Sequence, residues 1–270
     1  MKACAFGLTL LMAVAPETAG SQAPRDSLAA VDAFVAAVRQ ATARYRDQSA
    51  AVADGYRKIG PDFPGMGEHW ISVPLLLDGS VDPQRPPILE YARLNGELTL
   101  VGAAFAVLLS AHEQPPAVDG LPVDASAWHY HGGTVSEESF VAGHAHGAEV
   151  NHHKPRVAVL HVWTGLDNPA GPFATDNWAL PFARLGLPAP VVAPSAEVAH
   201  GLALAAGGEP YYLRVIAMRD TSHVVTPDVQ EQLERAAVEI REVLKQEPLE
   251  QALVRVGEIW VALGVMPGVP

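Results

Sequence analysis

Cysteine is nearly absent from this chain of 270 residues: the only one is Cys4. It lies inside an N-terminal apolar segment, too early to follow that segment as a lipid-attachment cysteine would. The rest of the chain therefore has no disulfides, no thiolate catalysis and no cysteine-ligated metal. Any transition-metal site has to use histidine, aspartate, glutamate or methionine, and stability has to come from a hydrophobic core.

Positive charge is also scarce, because the chain has 4 lysines and a formal net charge of −12. No basic stripe is present, so nucleic acid and anionic membrane surfaces are poor partners, whereas metal cations and cationic ligands are compatible. Solubility alone also accounts for such a charge. A membrane span needs about 20 consecutive apolar residues, and we expect no integral membrane segment in the mature chain.

The N-terminus has the pattern of a secretory signal peptide. Met1 and Lys2 precede an apolar run over residues 3–15, and small residues follow at 19–23. We predict a signal peptide over 1–23, a single domain over 24–270, and a periplasmic or secreted location. The alternative is a mildly hydrophobic N-terminal helix.

The remaining periodicity predicts an α+β fold, with a central, mostly antiparallel sheet and with an N-terminal helix and C-terminal helices packed on it. The Asn95-Gly96 dipeptide predicts a tight hairpin between two strands. Segments rich in proline and glycine, at 60–67, 78–87 and 165–194, predict turns and irregular connections. The predicted helices start near residues 27, 195, 227 and 248, and the predicted strands cover 68–73, 88–92, 98–109, 127–131, 156–163 and 211–218.

Histidine is concentrated in one part of the chain, where seven of the eleven lie between His129 and His161. His129 and His131 are two apart on a predicted strand and so share one face. If the strand of His161 is their antiparallel neighbour, the three imidazoles form one face able to bind a divalent transition metal, with zinc, copper and iron all compatible. His69 and Glu90 are the candidate fourth and fifth ligands.

Each of these residues also has a simpler interpretation. His161 could be a core histidine that is hydrogen-bonded to the backbone. Glu90 could face solvent on an edge strand, and His69 could cap a turn or bond to Glu68. The His-x-His pair could arise by chance where histidine is frequent.

A second group of histidines lies in a polar segment without an apolar face. We expect this segment to be an exposed, mobile loop that binds metal weakly at most. Its histidines are His144, His146, His152 and His153.

Common catalytic motifs are absent from the sequence. It has no HExxH, GxSxG, P-loop or GxGxxG pattern. A cupin motif fails narrowly, because five residues separate His131 from Glu137 where three or four are expected. A Ser/His/Asp triad stays open, since its members need not be close in sequence.

Several short segments together resemble a group of uncharacterised exported bacterial proteins. The resemblance covers about residues 40 to 175 and implies no particular activity. One departure is Ala104, which stands where that group has an acidic residue. The matching segments are Ala53-Asp54-Gly55-Tyr56, Gly65-Met66-Gly67-Glu68-His69-Trp70, Leu89-Glu90-Tyr91 with Leu100-Val101-Gly102, Trp128-His129-Tyr130-His131, Leu160-His161-Val162-Trp163 and Asn168-Pro169-Ala170-Gly171-Pro172-Phe173.

Two functional hypotheses follow. The first is an exported metal-binding protein, with catalysis left open, whose ligands come from His69, Glu90, His129, His131 and His161. The second is a non-catalytic periplasmic binding or accessory protein with a small-molecule pocket lined by aromatic residues, namely Trp70, Trp128, Trp163 and Phe173. A purely structural surface protein is a third interpretation.

Overall fold

The computed structural model describes residues 23–118, 123, 127–132, 155–207 and 227–264. The strands of this part form one six-stranded sheet in which every pairing is antiparallel. Their order across the sheet is β1-β2-β3-β4-β6-β5. The strands are β1 (Arg57–Phe63), β2 (Gly67–Ile71), β3 (Ile88–Leu94), β4 (Glu97–Leu109), β5 (Trp128–Gly132) and β6 (Arg156–Trp163).

Helices precede and follow this sheet, which confirms the predicted α+β fold. A short 3₁₀ turn, Ala43–Arg46, connects the first two helices. Among the described helices, none has both the length and the apolar character needed to cross a membrane. The helices are α1 (Ala23–Thr42), α2 (Gln48–Ala53), α3 (Val73–Asp78), α4 (Leu180–Arg184), α5 (Ala196–Ala206), α6 (Pro227–Gln246) and α7 (Leu249–Ala262).

Several sequence expectations fall outside the described residues. They are the signal peptide up to residue 22, the histidines of the polar segment, and the strand over 211–218. These stay predictions.

The predicted hairpin is confirmed. Asn95 and Gly96 connect β3 to β4 with φ values of 51° and 85°, the left-handed conformation that a two-residue turn of this kind requires. A bulge between Glu90 and Tyr91 shifts the register of the two strands.

Strand β6 is interior to the sheet, as its continuous apolar sequence predicts. It pairs with β4 on one side and with β5 on the other, and all eight of its residues are buried. On β5, His129 lies opposite Val159 and His131 opposite Val157. The predicted antiparallel neighbours of the three histidines are therefore confirmed.

The two faces of the sheet are covered differently. Helix α1 places Val35 and Val38 against one face, in a cluster with Phe105, Leu160 and Val162. The other face carries a smaller apolar cluster around Ile71, Ile88, Ala104, Ala106, Val157 and Val159, and its polar residues form the candidate site.

The C-terminal helices α5, α6 and α7 pack on one another around Leu202, Ile240 and Trp260. Leu180 of α4 connects this part to the sheet by packing with Val101 and Trp163.

The structure corrects three expectations. Residues 60–67 contain most of strand β1, although Gly60 and Pro61 suggested a break. An edge strand tolerates proline where its ladder is interrupted, and the pairing with β2 shifts between Ile59 and Asp62. Helices α3 and α4 were also missed, because five or six residues are too few to show a helical period.

Candidate metal centre

The strand register brings the candidate ligands to one face of the sheet. Glu90 on β3 lies directly opposite His69 on β2 and opposite Gly102 on β4. His161 on β6 lies opposite Ala104. Directly opposed residues of an antiparallel pair point to the same side, so His69, Glu90 and His161 converge there.

These three residues form a group that could hold a metal ion. One potential ligand atom from each lies within 4.8 Å of the other two. His69 Nε2 is 3.9 Å from Glu90 Oε1, and His161 Nδ1 contacts the same oxygen. Metal–ligand bonds of about 2.0–2.2 Å place neighbouring ligands about 3–4 Å apart, so the group fits one ion after small side-chain shifts.

Burial makes this group costly without a cation. The side chains of Glu90 and His161 are 0% exposed, whereas that of His69 is 14% exposed. Burial raises the pKa of Glu90, and His161 acts on it in the opposite direction. Apart from the contact between His161 Nδ1 and Glu90 Oε1, the Glu90 oxygens and the His161 ring nitrogens have no hydrogen bond to the described part of the chain. Buried polar atoms are seldom left so, and a cation would satisfy them.

One of the simpler interpretations is thereby wrong. Glu90 does not face solvent on an edge strand, because β3 lies between β2 and β4 and the side chain is fully buried. His161 makes no hydrogen bond to the backbone of the described residues. Its polar contact is with the carboxylate of Glu90.

Gly102 makes room for the Glu90 carboxylate, a role that the sequence analysis missed. A Cβ atom at position 102 would lie 2.4 Å from Glu90 Oε2 and 3.2 Å from the carbonyl oxygen of Val162. A glycine inside a strand often marks such a close approach. The sequence signal for this role was a glycine between Val101 and Ala103, inside a predicted strand.

We expect Gly102→Ala to weaken metal binding by about 10- to 100-fold, the usual effect of disturbing groups that orient metal ligands. The added methyl group would lie too close to Glu90 Oε2 and so displace the carboxylate from its present position. Competition with a chromophoric chelator measures the affinity. Gly55→Ala is the control: φ is 90° there and no atom would lie within 4 Å of the new Cβ, so it should cost stability only. Equal metal affinity in Gly102→Ala and Gly55→Ala would contradict the assignment of Glu90 as a metal ligand positioned over Gly102.

Aromatic rings pack around the histidines. The ring of Phe63 meets His69 edge-on at 5.4 Å between centroids. Trp163 is nearly parallel to His161 at 6.3 Å, and its Nε1 donates a 2.7 Å hydrogen bond to the carbonyl oxygen of Ala174. These contacts restrict the orientation of both imidazoles.

His129 and His131 form a neighbouring pair on the same face. Their Nε2 atoms are 3.1 Å apart, and the two residues are 1% and 6% exposed. The ring of His129 stacks on His161 at 4.8 Å between centroids. The five predicted ligands thus share one face, but they form a group of three and an adjoining pair.

The four aromatic residues of the predicted pocket do not line one common space. Trp70 packs on Tyr91 on the opposite face from His69. Trp128 and Phe173 belong to the core beneath α1, and Trp163 lies beside His161. Strand alternation is the reason, because Trp70 and Trp128 are each next in sequence to a site histidine and so point the other way.

Comparisons with protein-family models, with curated proteins and with solved structures give no match for this chain. The resemblance to exported bacterial proteins stays a prediction, and function has to be argued from the side chains themselves.

Proposed function

We propose that the chain is an exported metal-binding protein that holds a divalent transition metal between His69, Glu90 and His161. One observation carries the proposal: a fully buried carboxylate, whose polar contacts in the described residues are with His69 and His161, lies between these two imidazoles with ligand atoms within 4.8 Å. Export is supported by the sequence pattern of residues 1–23, and ligation without thiolates suits a chain whose only cysteine is Cys4.

The donor set supports zinc or iron, and it is also compatible with copper. Two histidines and one carboxylate bind zinc in several hydrolases and iron in non-haem oxygenases. In both cases three protein ligands leave positions open for water or substrate. The partial exposure of His69 places that side of the group nearest to solvent.

The finer proposal is a metal-dependent enzyme. A bound ion of this kind supplies Lewis acidity or lowers the pKa of a bound water. His69, Glu90 and His161 would hold the ion. Phe63 and Trp163 fix the two imidazoles, and burial excludes bulk water from Glu90 and His161.

Metal content tests the binding proposal. The untagged protein, purified without chelator and dialysed against zinc, should contain the ion in stoichiometric amount by elemental mass spectrometry. His161→Leu and His69→Ala should each lose it. His69→Ala is the safer variant, since its side chain is partly exposed. His112→Asn removes a histidine outside the group, at a φ of 67° that asparagine tolerates, and should keep the ion. Equal metal in all four proteins would contradict the proposal.

Cobalt tests the enzyme proposal. In the cobalt-substituted protein, added azide should change the visible absorption spectrum, because an open position admits a small anion. An unchanged spectrum at saturating azide would indicate a closed, structural ion and would contradict the finer proposal alone.

A further inference from the structure

We infer that His129 and His131 form a second metal position, so that this face of the sheet holds two neighbouring ions. This goes beyond the proposed function, which requires only the ion at His69, Glu90 and His161.

The geometry of the pair suits chelation. The Nε2 atoms converge to 3.1 Å. With metal–nitrogen bonds of about 2.0–2.1 Å, that separation subtends roughly a right angle at the ion. Two adjacent ligands of a square-planar ion have this arrangement, and a slightly wider spacing of the two nitrogens gives the angle of a tetrahedral ion. Both imidazoles are buried.

The other ring nitrogen of His129 lies near a hydroxyl oxygen that can accept its proton in a hydrogen bond. Thr175 Oγ1 lies 3.4 Å from His129 Nδ1. A hydrogen bond from Nδ1–H to this hydroxyl leaves the Nε2 lone pair directed at His131 and fixes the ring. The chain around Thr175 is itself held in place, because Asn177 N donates a 2.8 Å hydrogen bond to the carbonyl oxygen of Gly65.

The described residues of the neighbouring strand β6 place no positive charge beside the pair. Arg156 is the nearest cationic residue along β6, and it points to the opposite face, where its guanidinium lies 5.5 Å from the ring centroid of Tyr130. The residue opposite His131 is the uncharged Val157. The ring of His161 lies between the two positions, in contact with Glu90 and stacked on His129.

A hydrogen bond between the two imidazoles is the competing explanation, since 3.1 Å also suits an N–H···N contact. It predicts no metal at the pair. Stoichiometry therefore separates the two explanations.

The test is zinc stoichiometry by equilibrium dialysis and elemental mass spectrometry on the full chain. The wild-type protein should bind two ions, Glu90→Gln and His131→Ala one each, and the double variant none. Thr175→Val should lower the zinc affinity of the position at His129 and His131 by about tenfold. It should leave the affinity of the position at Glu90 unchanged. If His131→Ala does not fold by circular dichroism, His131→Gln replaces it.

One ion in the wild type that persists in His131→Ala would overturn the second position and leave the proposed function intact. Loss of the ion in His131→Ala but not in Glu90→Gln would instead overturn the proposed function and support the pair. Two ions that both persist in His131→Ala would also overturn the inference.

Discussion

Replacing Glu90 by glutamine should stabilise the metal-free protein and remove the stabilisation that an ion at His69, Glu90 and His161 provides. The neutral amide avoids an ionised carboxylate that is fully buried, so we expect the free energy of unfolding to rise by about 1–3 kcal/mol. Through the site at Glu90, excess zinc at about 100 times the dissociation constant should stabilise the wild-type protein by about 2.7 kcal/mol, and the variant should lack this contribution. Any stabilisation by zinc at His129 and His131 should be equal in the two proteins. Chemical denaturation with and without zinc measures both effects.

The stabilisation by Glu90→Gln should grow with pH. The raised pKa of Glu90 means that the folded protein holds this proton to a higher pH than the unfolded chain does. The carboxyl group therefore costs stability as pH rises through its folded pKa and costs nothing where both states are protonated. Denaturation of the metal-free proteins at several pH values measures this difference.

Glu68 provides the matched control for Glu90. It is a glutamate on the neighbouring strand, 6% exposed, but Lys58 Nζ lies 3.1 Å from one of its oxygens and Trp70 Nε1 donates a 3.2 Å hydrogen bond to the other. Glu68→Gln should therefore lower stability slightly and leave metal binding unchanged. A loss of about 3–5 kcal/mol in Glu90→Gln, the usual cost of breaking a buried ion pair, would instead mean that a charged His161 balances Glu90 without metal.

Asp62→Ala should lower the free energy of unfolding by about 3–5 kcal/mol, because it leaves a buried guanidinium unpaired. Asp62 and Arg184 form a two-pronged ion pair whose side chains are 7% and 3% exposed. Arg184 also donates a 3.2 Å hydrogen bond to the carbonyl oxygen of Phe63. The pair thereby connects α4 to edge strand β1.

The double variant Asp62→Ala/Arg184→Met serves as the control for this prediction. Removing both charges should cost clearly less than Asp62→Ala alone, since no unpaired charge remains. Because Phe63 packs on His69, Asp62→Ala should also weaken metal binding modestly. A loss below about 1 kcal/mol, the range of exposed pairs, would contradict the buried pairing.

The faces of the strands could be predicted from the sequence, because alternation alone places His129 with His131 and opposite to Trp128. The hairpin could be predicted too, since Asn95-Gly96 tolerates the required φ values. Strand β1 could not, because its Gly60-Pro61 pair is typical of a turn, and only its place at the sheet edge with a register shift makes it acceptable.

The division of the ligands into three and two depends on strand order, which no local pattern contains. Strand β6 lies between β4 and β5, and this position puts the His161 ring between Glu90 and His129. The pairing of His69 with Glu90 requires the register of β2 on β3, which is set across the connection at 72–87. The role of Gly102 could not be predicted either, because it depends on Glu90 lying opposite it on the neighbouring strand.

Anomalous diffraction from crystals of the untagged, metal-loaded protein tests the central claim most directly. Data on both sides of the absorption edge of the bound metal locate the ion without assumptions about its ligands. We expect an anomalous peak within bonding distance of His69, Glu90 and His161 on the buried face of the sheet. Peaks confined to the polar segment at 144–153 or to the surface, with none at Glu90 in a fully loaded crystal, would contradict it.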